Sequence, residues 1–365
     1  MTLDFSRRSA LAILAGGAAT AAAGVRPQRP FVDGLSFLPE NLSDVVDSGL
    51  TAFICDVSEV VEIKDAGGVP RYLRTFPENK IALAKAAERI SNSKEVFLAR
   101  KGTEIGSQPK CAAFLQFQSC EPVGDDLARI DQFYQDGLRI LQFTHHNNNL
   151  FAGGCLEPVQ TGLTQLGIEG LSEMNRLRIL PDVAHGSELT MLEAAKLSKT
   201  PIIMSHGACK AIVDHPRCIS DEAIRSIASR GGVVGIFMMS FWLTAAAVPL
   251  PEHFVAQIQH VIKVGGIEAV GIANDFPMSG QINLRKLGND NSLGVQEYLP
   301  WWKAMRDLGI PGFSSDPRHV VIPEFNNIDR LMLIERLLER ARMPARVVDR
   351  IMGGNWIRVL TDTLG

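Results

Sequence analysis

RILPDVAHGSELTMLEAAKLSKTPIIMSHGACKAIVDHPR, residues 178–217, decides the fold. Ile179 to Ala184 and Pro201 to Met204 are short apolar runs, and the stretch between them has the Glu/Ala/Leu/Lys composition of a helix. That is one β-α-β unit. His185 closes the first run as D-V-A-H and His206 closes the second as M-S-H. Parallel neighbouring strands place their carboxyl ends side by side, so the two imidazoles are expected to face one pocket.

The same alternation extends in both directions. Upstream, Phe31 to Leu38, Leu50 to Val57, Cys111 to Gln118 and Arg139 to Phe143 read as strands, with helical stretches at Glu78 to Asn92 and Leu127 to Asp136. Downstream, Gly232 to Met238 and Ala269 to Ala273 follow helical stretches at Ser220 to Arg230 and Pro251 to Val264. Eight apolar runs alternating with helices predict an α/β fold, a (β/α)8 TIM-type barrel. A doubly wound open sheet is the rival. No G-x-G-x-x-G opens a helix after an early strand, and the polar residues sit at many strand ends rather than at one switch point. Residues 26–365 are read as one barrel domain. Its insertion at about 280–323 is a loop or short-helix segment near the mouth, and Asn327 to Arg342 and Pro344 to Ile351 are closing helices.

Composition narrows the function classes. The chain has 365 residues, 46% of them hydrophobic and 21% charged, with a formal net charge of −3. This is globular composition without the positive charge that nucleic acid or an anionic membrane surface would require. The six cysteines form no C-x-x-C pair and no framework spacing, which excludes a zinc ribbon or thioredoxin site. Cys209 and Cys218 are the nearest couple. Residues 1–25 read as a twin-arginine export signal: Arg7 and Arg8 precede a Gly/Ala-rich apolar run, and small residues from Ala21 to Gly24 offer a cleavage point. The run from Ser9 is short for a membrane span, although an uncleaved anchor is the alternative. A periplasmic or secreted location follows, with no span after signal removal.

The carboxyl ends of the eight runs supply the candidate pocket: Asp56, Gln118, His145, His185, His206 and Asp275, with Leu35 and Phe37 at the first. In a barrel the active site lies at that face. Three histidines with carboxylates suit metal-assisted or acid/base chemistry.

Several stretches together resemble the membrane (renal) dipeptidase family of zinc metallopeptidases, built on barrels of the metal-dependent hydrolase kind. They are RILQFTHHNNN at 139–149, GLTQLGIEGLSEMNRLRILPDVAH at 162–185, PIIMSH at 201–206, HPRCISDEAI at 215–224, GIANDF at 271–276 and GGNWIRVL at 353–360. The resemblance implies a dinuclear zinc site in which a bridging glutamate joins a His-x-Asp on the first strand to two later histidines. His185 and His206 stand at the two later positions. In the family-like phrase DGLSFLP, Leu35 and Phe37 stand where the His-x-Asp would be, and in LQFQSCEP Gln118 stands for the glutamate. Three ligand positions are thus lost. Leucine and phenylalanine offer no lone pair, and a neutral amide is a weaker ligand than a carboxylate. A loop remodelled around Cys120 or Glu121 is the route by which a ligand could be restored. The resemblance further implies that His145 holds the scissile-group oxygen, that Arg217 binds substrate, that Asp275 lies near the nucleophilic water, and that the chain forms a homodimer.

Three functions stay open at this point. One is a hydrolase of a dipeptide or other small amide, with zinc at low or single occupancy on His185 and His206. Another is a metal-free lyase, isomerase or tailoring enzyme on an amino-acid-like or aromatic small molecule, using His145, Asp275 and the other histidines as acid/base groups. The third is a periplasmic binding or maturation protein without turnover, in which Arg217 and the histidines hold a small molecule.

Overall fold

The computed structural model describes residues 29–64 and 70–365. The expected export signal lies outside the described residues.

Among the described residues eleven strands run in chain order: β1 Val32–Phe37, β2 Ala52–Asp56, β3 Val61–Lys64, β4 Pro70–Leu73, β5 Val96–Leu98, β6 Cys111–Phe117, β7 Leu138–Gln142, β8 Leu180–Asp182, β9 Ile203–Gly207, β10 Val233–Ile236 and β11 Val270–Ile272. Eight of them close into a parallel barrel in the order β1, β2, β6, β7, β8, β9, β10, β11, with β1 pairing β11 to complete the ring. These are the eight apolar runs of the sequence. They are legible because strands buried on both faces read as continuous Val/Ile/Leu segments. Three short strands add to them: β3 and β4 form an antiparallel hairpin, and β5 flanks the start of β6.

Helices cover the outside of the ring. The helices Gln165–Leu177, Glu188–Leu197 and Asp221–Ser229 each begin at a hydroxyl cap, the side chains of Thr164, Ser187 and Ser220 accepting from the backbone three residues on. The cap at Ser187 follows two residues after His185, and five residues separate the strand end at Asp182 from the helix start at Glu188. Residues 280–323 carry a helix at Asn291–Asp307, which spans 17 residues with Pro300 inside it.

The barrel interior is packed at the amino ends of the strands. Val32, Ala52, Ile54, Ala112, Phe114, Ile140, Leu180, Ile203 and Val233 join one cluster with Trp356, Val359 and Leu360 of the last helix, Asn355–Leu364. Trp356 is fully buried, and its indole nitrogen donates to Ile272 O at 3.0 Å. Glycine is required where the ring crosses the strands. A Cβ at Gly34 would stand 2.2 Å from the indole, and one at Gly271 would stand 2.3 Å from it. The last helix therefore plugs one end of the barrel and leaves the other open.

Candidate active site

The open end carries four imidazoles from consecutive strand ends. His145 and His146 follow β7, His185 follows β8, and His206 lies within β9. His145 stacks on His185 with ring centroids 4.2 Å apart, His146 lies 4.5 Å from His185, and His185 lies 4.7 Å from His206. His185 and His206 meet at their Nε2 atoms, 2.7 Å apart. All four rings are held neutral. Burial is the main cause of the lowered values at His145, His185 and His206, and the positive charge of Arg217 adds to it. Burial pushes His146 down to about 3.

A buried chain of hydrogen bonds orients the pair. Asp182 Oδ1 accepts from the backbone of Ala184 and Ser205, and Oδ2 accepts from Gln116 Nε2 at 2.8 Å and from the Ser205 hydroxyl. Four donors suit an ionised carboxylate, so the Ser205 hydrogen is committed to it. Ser205 Oγ lies 2.8 Å from His206 Nδ1, and His206 Nε2 lies 2.7 Å from His185 Nε2. Arg217 Nη2, which can only donate, lies 3.1 Å from His185 Nε2 and makes that nitrogen an acceptor, so the ring hydrogen is on His185 Nδ1. This nitrogen is buried and has no partner among the described residues.

Arg217 is fully buried beside the pair. Its Nη2 donates to His206 O at 3.1 Å and lies 3.1 Å from His185 Nε2. The guanidinium carbon sits 5.1 Å from the Phe237 ring centre and 5.7 Å from that of Trp242. Its backbone N–H donates to His215 Nδ1, which ties the segment down. Nε and Nη1 have no partner among the described residues. Buried donors are nearly always satisfied, so two orphaned nitrogens on a buried cation are an exception.

Asp275 closes the far side. It is half-buried, and its backbone takes a left-handed φ of 51°, matching the 62° of His185. Such conformations cost about 1 kcal/mol or more for a non-glycine residue and cluster at functional sites. Burial raises the Asp275 carboxyl to about 7, against the lowering pull of Arg217.

Together Asp275, Gln118, His145, His146 and His185 open onto a cavity of about 470 Å³. Phe37, Phe241, Trp242, Tyr298 and Trp301 supply its aromatic wall. The sequence singled out neither His146 nor the aromatics of the insertion. The His-His doublet at 145–146 and the Trp-Trp doublet at 301–302 were the available signals.

The family's zinc pair does not fit these residues. Leu35 is buried and Phe37 lines the cavity, and neither offers a donor atom. Gln118 donates its amide nitrogen to Asp56 Oδ2 at 2.9 Å, so the position of the family's bridging glutamate is spent on a hydrogen bond to a neighbouring carboxyl. A cation set between His185 Nε2 and His206 Nε2 would force apart nitrogens now 2.7 Å from each other and would face the guanidinium of Arg217. Restoration through the neighbouring loop is absent as well. Cys120 is buried with its thiol pushed up by burial, and Glu121 pairs with Arg74 at 3.2 Å. A different set is better placed: one ring nitrogen from each of His145, His146 and His185 lies within 4.8 Å of the others.

Comparison with known proteins agrees with this architecture. A model of the family described as membrane dipeptidase (peptidase family M19) matches residues 79–291. The chain is similar to the dipeptidase verJ of Clonostachys rogersoniana, 31% identical over 186 residues that cover 49% of this chain and 47% of that protein. It is also similar to the uncharacterized dipeptidase C965.12 of Schizosaccharomyces pombe, 34% identical over 176 residues, 46% of this chain and 42% of that one. The chain thus matches about half the length of these curated relatives. Among solved structures, an amidohydrolase from Pseudomonas aeruginosa superposes with a TM-score of 0.71 at 28% identity, covering 92% of this chain and 97% of that one. The probable dipeptidase PvdM from the same organism shares the fold, with a TM-score of 0.66 at 16% identity over 92% of this chain and 96% of that one.

Proposed function

Since the chain belongs to the membrane dipeptidase family, we propose that it is a hydrolase of a dipeptide or similar small amide carrying a free carboxylate. The observation that carries this reading is Arg217, a fully buried guanidinium with two unpartnered nitrogens beside the histidines. It would grip the carboxylate and so set the amide against the imidazole wall. His145 would donate to the developing oxyanion, and Asp275, raised to about 7, would take and return a proton near neutral pH. Zinc, at single or low occupancy, would supply an activated water when bound, whereas the chain's own residues supply the grip and the proton transfers.

A second reading has its own observation. Phe37, standing at a lost ligand position, joins Phe241, Trp242, Tyr298 and Trp301 around the cavity. Such a wall favours a metal-free lyase, isomerase or tailoring reaction on an amino-acid-like aromatic molecule. One experiment separates the readings. The full chain, stripped by a chelator and then supplied with zinc or with none, is assayed against alanyl and aromatic dipeptides and against the same dipeptides with their carboxyl end amidated. Cleavage of the free dipeptides with poor cleavage of the amidated ones supports hydrolysis through Arg217. Equal turnover of both sets removes the carboxylate grip. A dipeptide altered without cleavage favours the second reading, and one retained unaltered favours a binding protein.

The export reading is part of the proposal. Replacing Arg7 and Arg8 with lysine should hold the protein in the cytoplasm, and unchanged periplasmic recovery would refute the twin-arginine reading. Among the described residues no helix is long and apolar enough to cross a membrane. A homodimer, proposed from the family resemblance, is tested by sedimentation of the same protein.

A further inference from the structure

We propose that the chain holds a second small-molecule site, apart from the histidine cavity, that takes an uncharged aromatic or branched aliphatic group. The site is a cavity of about 740 Å³, larger than the 470 Å³ beside the histidines. The loops after β6 and β7 serve both cavities, giving Gln118, His145 and His146 to one and Glu121, Leu150 and Phe151 to the other. The facing wall is the stretch that leads from the β3–β4 hairpin into the helix Phe76–Ser91. Small-molecule sites typically enclose about 300–1,000 Å³.

What the cavity can hold follows from which of its polar groups are already spent. Asn149 uses its whole amide: Oδ1 accepts from the backbone of Phe151 and Ala152, and Nδ2 donates to Phe143 O at 2.8 Å and to Ser119 Oγ at 3.3 Å. Asn148 Oδ1 accepts from Gly154 N at 3.0 Å. Among the described residues the lining holds one carboxylate and two guanidiniums. Arg74 Nη1 donates to that carboxylate, Glu121 Oε2, at 3.2 Å. Arg129 has its guanidinium carbon 4.7 Å from the centre of the Phe76 ring, donates through Nη1 to Val123 O at 3.2 Å, and keeps Nε 3.7 Å from Asp126 Oδ2. Arg74 Nε and Thr75 Oγ1 have no partner among the described residues, but both atoms are buried and offer the cavity no surface.

The remaining lining is apolar: Leu73, Phe76, Pro77, Pro122, Leu150 and Phe151. Phe76 is braced by Phe133, with ring centroids 5.3 Å apart, and Phe133 meets Phe117 edge-on at 4.9 Å. Leu73 and Leu150, 39% and 58% exposed, stand where an apolar occupant would cover them. A charged ligand would have to break an existing ion pair or give up its hydration without return, whereas an uncharged ring only replaces water against these side chains.

The proposal does not depend on amide hydrolysis, and its test reads binding rather than turnover. Full-length protein is titrated with N-phenyl-1-naphthylamine, an uncharged molecule whose emission rises on leaving water, and with its 8-sulfonate, the same rings carrying a negative charge. One equivalent of the uncharged probe is expected, with the sulfonate held more weakly by about 10-fold or more. Leu150→Asp should weaken the uncharged probe by about 10-fold or more, and Leu150→Met should keep its affinity within about 3-fold. Trp301→Ala alters the wall of the histidine cavity and should leave this binding unchanged. Leu150 is exposed, and circular dichroism checks that its variants remain folded. Absence of binding by the unaltered protein would overturn the proposal. So would a sulfonate held equally or more tightly, or binding that survives Leu150→Asp. Sedimentation tests the other occupant: a dimer that Leu150→Asp separates, with no probe bound by the parent, would make this face an interface between copies and overturn the small-molecule site.

Discussion

The two ends of the barrel are built on opposite principles. At the amino ends of the strands, Trp356 and the last helix meet small and aliphatic side chains, and the indole nitrogen is bonded. At the carboxyl ends, His185 and Asp275 sit in left-handed backbone, and Arg217, His146 and His185 each keep a nitrogen without a partner among the described residues. One end is close-packed around the indole; the other keeps strain and a buried charge. Since both share the same eight strands, the stable end supports the unstable one. The difference teaches where substitutions should act on stability and where on function.

The largest stability effect belongs to the packed end. Trp356→Ala should cost about 3–5 kcal/mol, the range for emptying a buried aromatic site. Denaturant unfolding measures it, and the folded fraction should still bind ligand. A loss below about 1 kcal/mol would show that the plug is not what holds this end together.

Asp33, on the seam where β1 meets β11, should make stability depend on pH. It is fully buried, its Oδ1 accepts from the backbone of Asn274 and Leu35, and burial raises its carboxyl to about 7. The folded value exceeds the unfolded value of about 3.9. Its contribution is therefore complete below about pH 4 and is lost as pH rises toward 7, by up to roughly 1.4 kcal/mol per unit. Asp33→Asn should flatten that decline. Parallel pH profiles of the two proteins between 4 and 7 would break the argument.

At the mouth, Gln118→Glu replaces the amide that donates to Asp56 with a second carboxylate. Two carboxyls sharing that site cannot both ionise easily, so the pair's upper value rises. Stability should be near that of the parent at pH 5 and lower by about 1–3 kcal/mol at pH 8. Thermal melts at the two values decide. A variant equally stable at both would mean that the carboxylates are kept apart or screened by solvent.

Arg217→Met should have the smallest effect on stability and a large one on function. Replacing a buried, half-satisfied charge with a side chain of similar length is expected to leave stability unchanged or raise it by about 1 kcal/mol. Capture of carboxylate-bearing substrates should disappear. A strongly destabilised variant would place Arg217 among the structural supports instead.

Much of this contrast was readable in the chain, and the unread part has physical reasons. The eight barrel strands announced themselves because doubly buried strands cannot hide their apolar runs. The hairpin of β3 and β4 was missed because VEIK alternates for only four residues and PRYL does not alternate. The helix Asn291–Asp307 was obscured by Gly294 and Pro300, which argue against a helix locally and are overridden by its docking over the mouth. His145, His185 and His206 were found from their strand ends. His146 lay next to His145 in a polar run, where no periodicity distinguishes a pocket residue from a loop residue. The hydrogen bonds through Ser205 and Asp182 were not read, although β8 and β9 pair within one β-α-β unit, because a side-chain bond between neighbouring strands leaves no mark on the apolar pattern.

That closure also sets a schedule. The ring is completed by strands from opposite ends of the sequence, β1 against β11, and is then stoppered by an indole from the last helix. Loop closure over such a separation comes late in folding and is slow. A chain still being made, with Trp356 inside the ribosome, would present an unclosed sheet with two bare edges and an uncovered apolar interior. Its vulnerability to aggregation should therefore last until Trp356 has emerged and docked, and removing residues 355–365 should fix the protein permanently in that exposed stage.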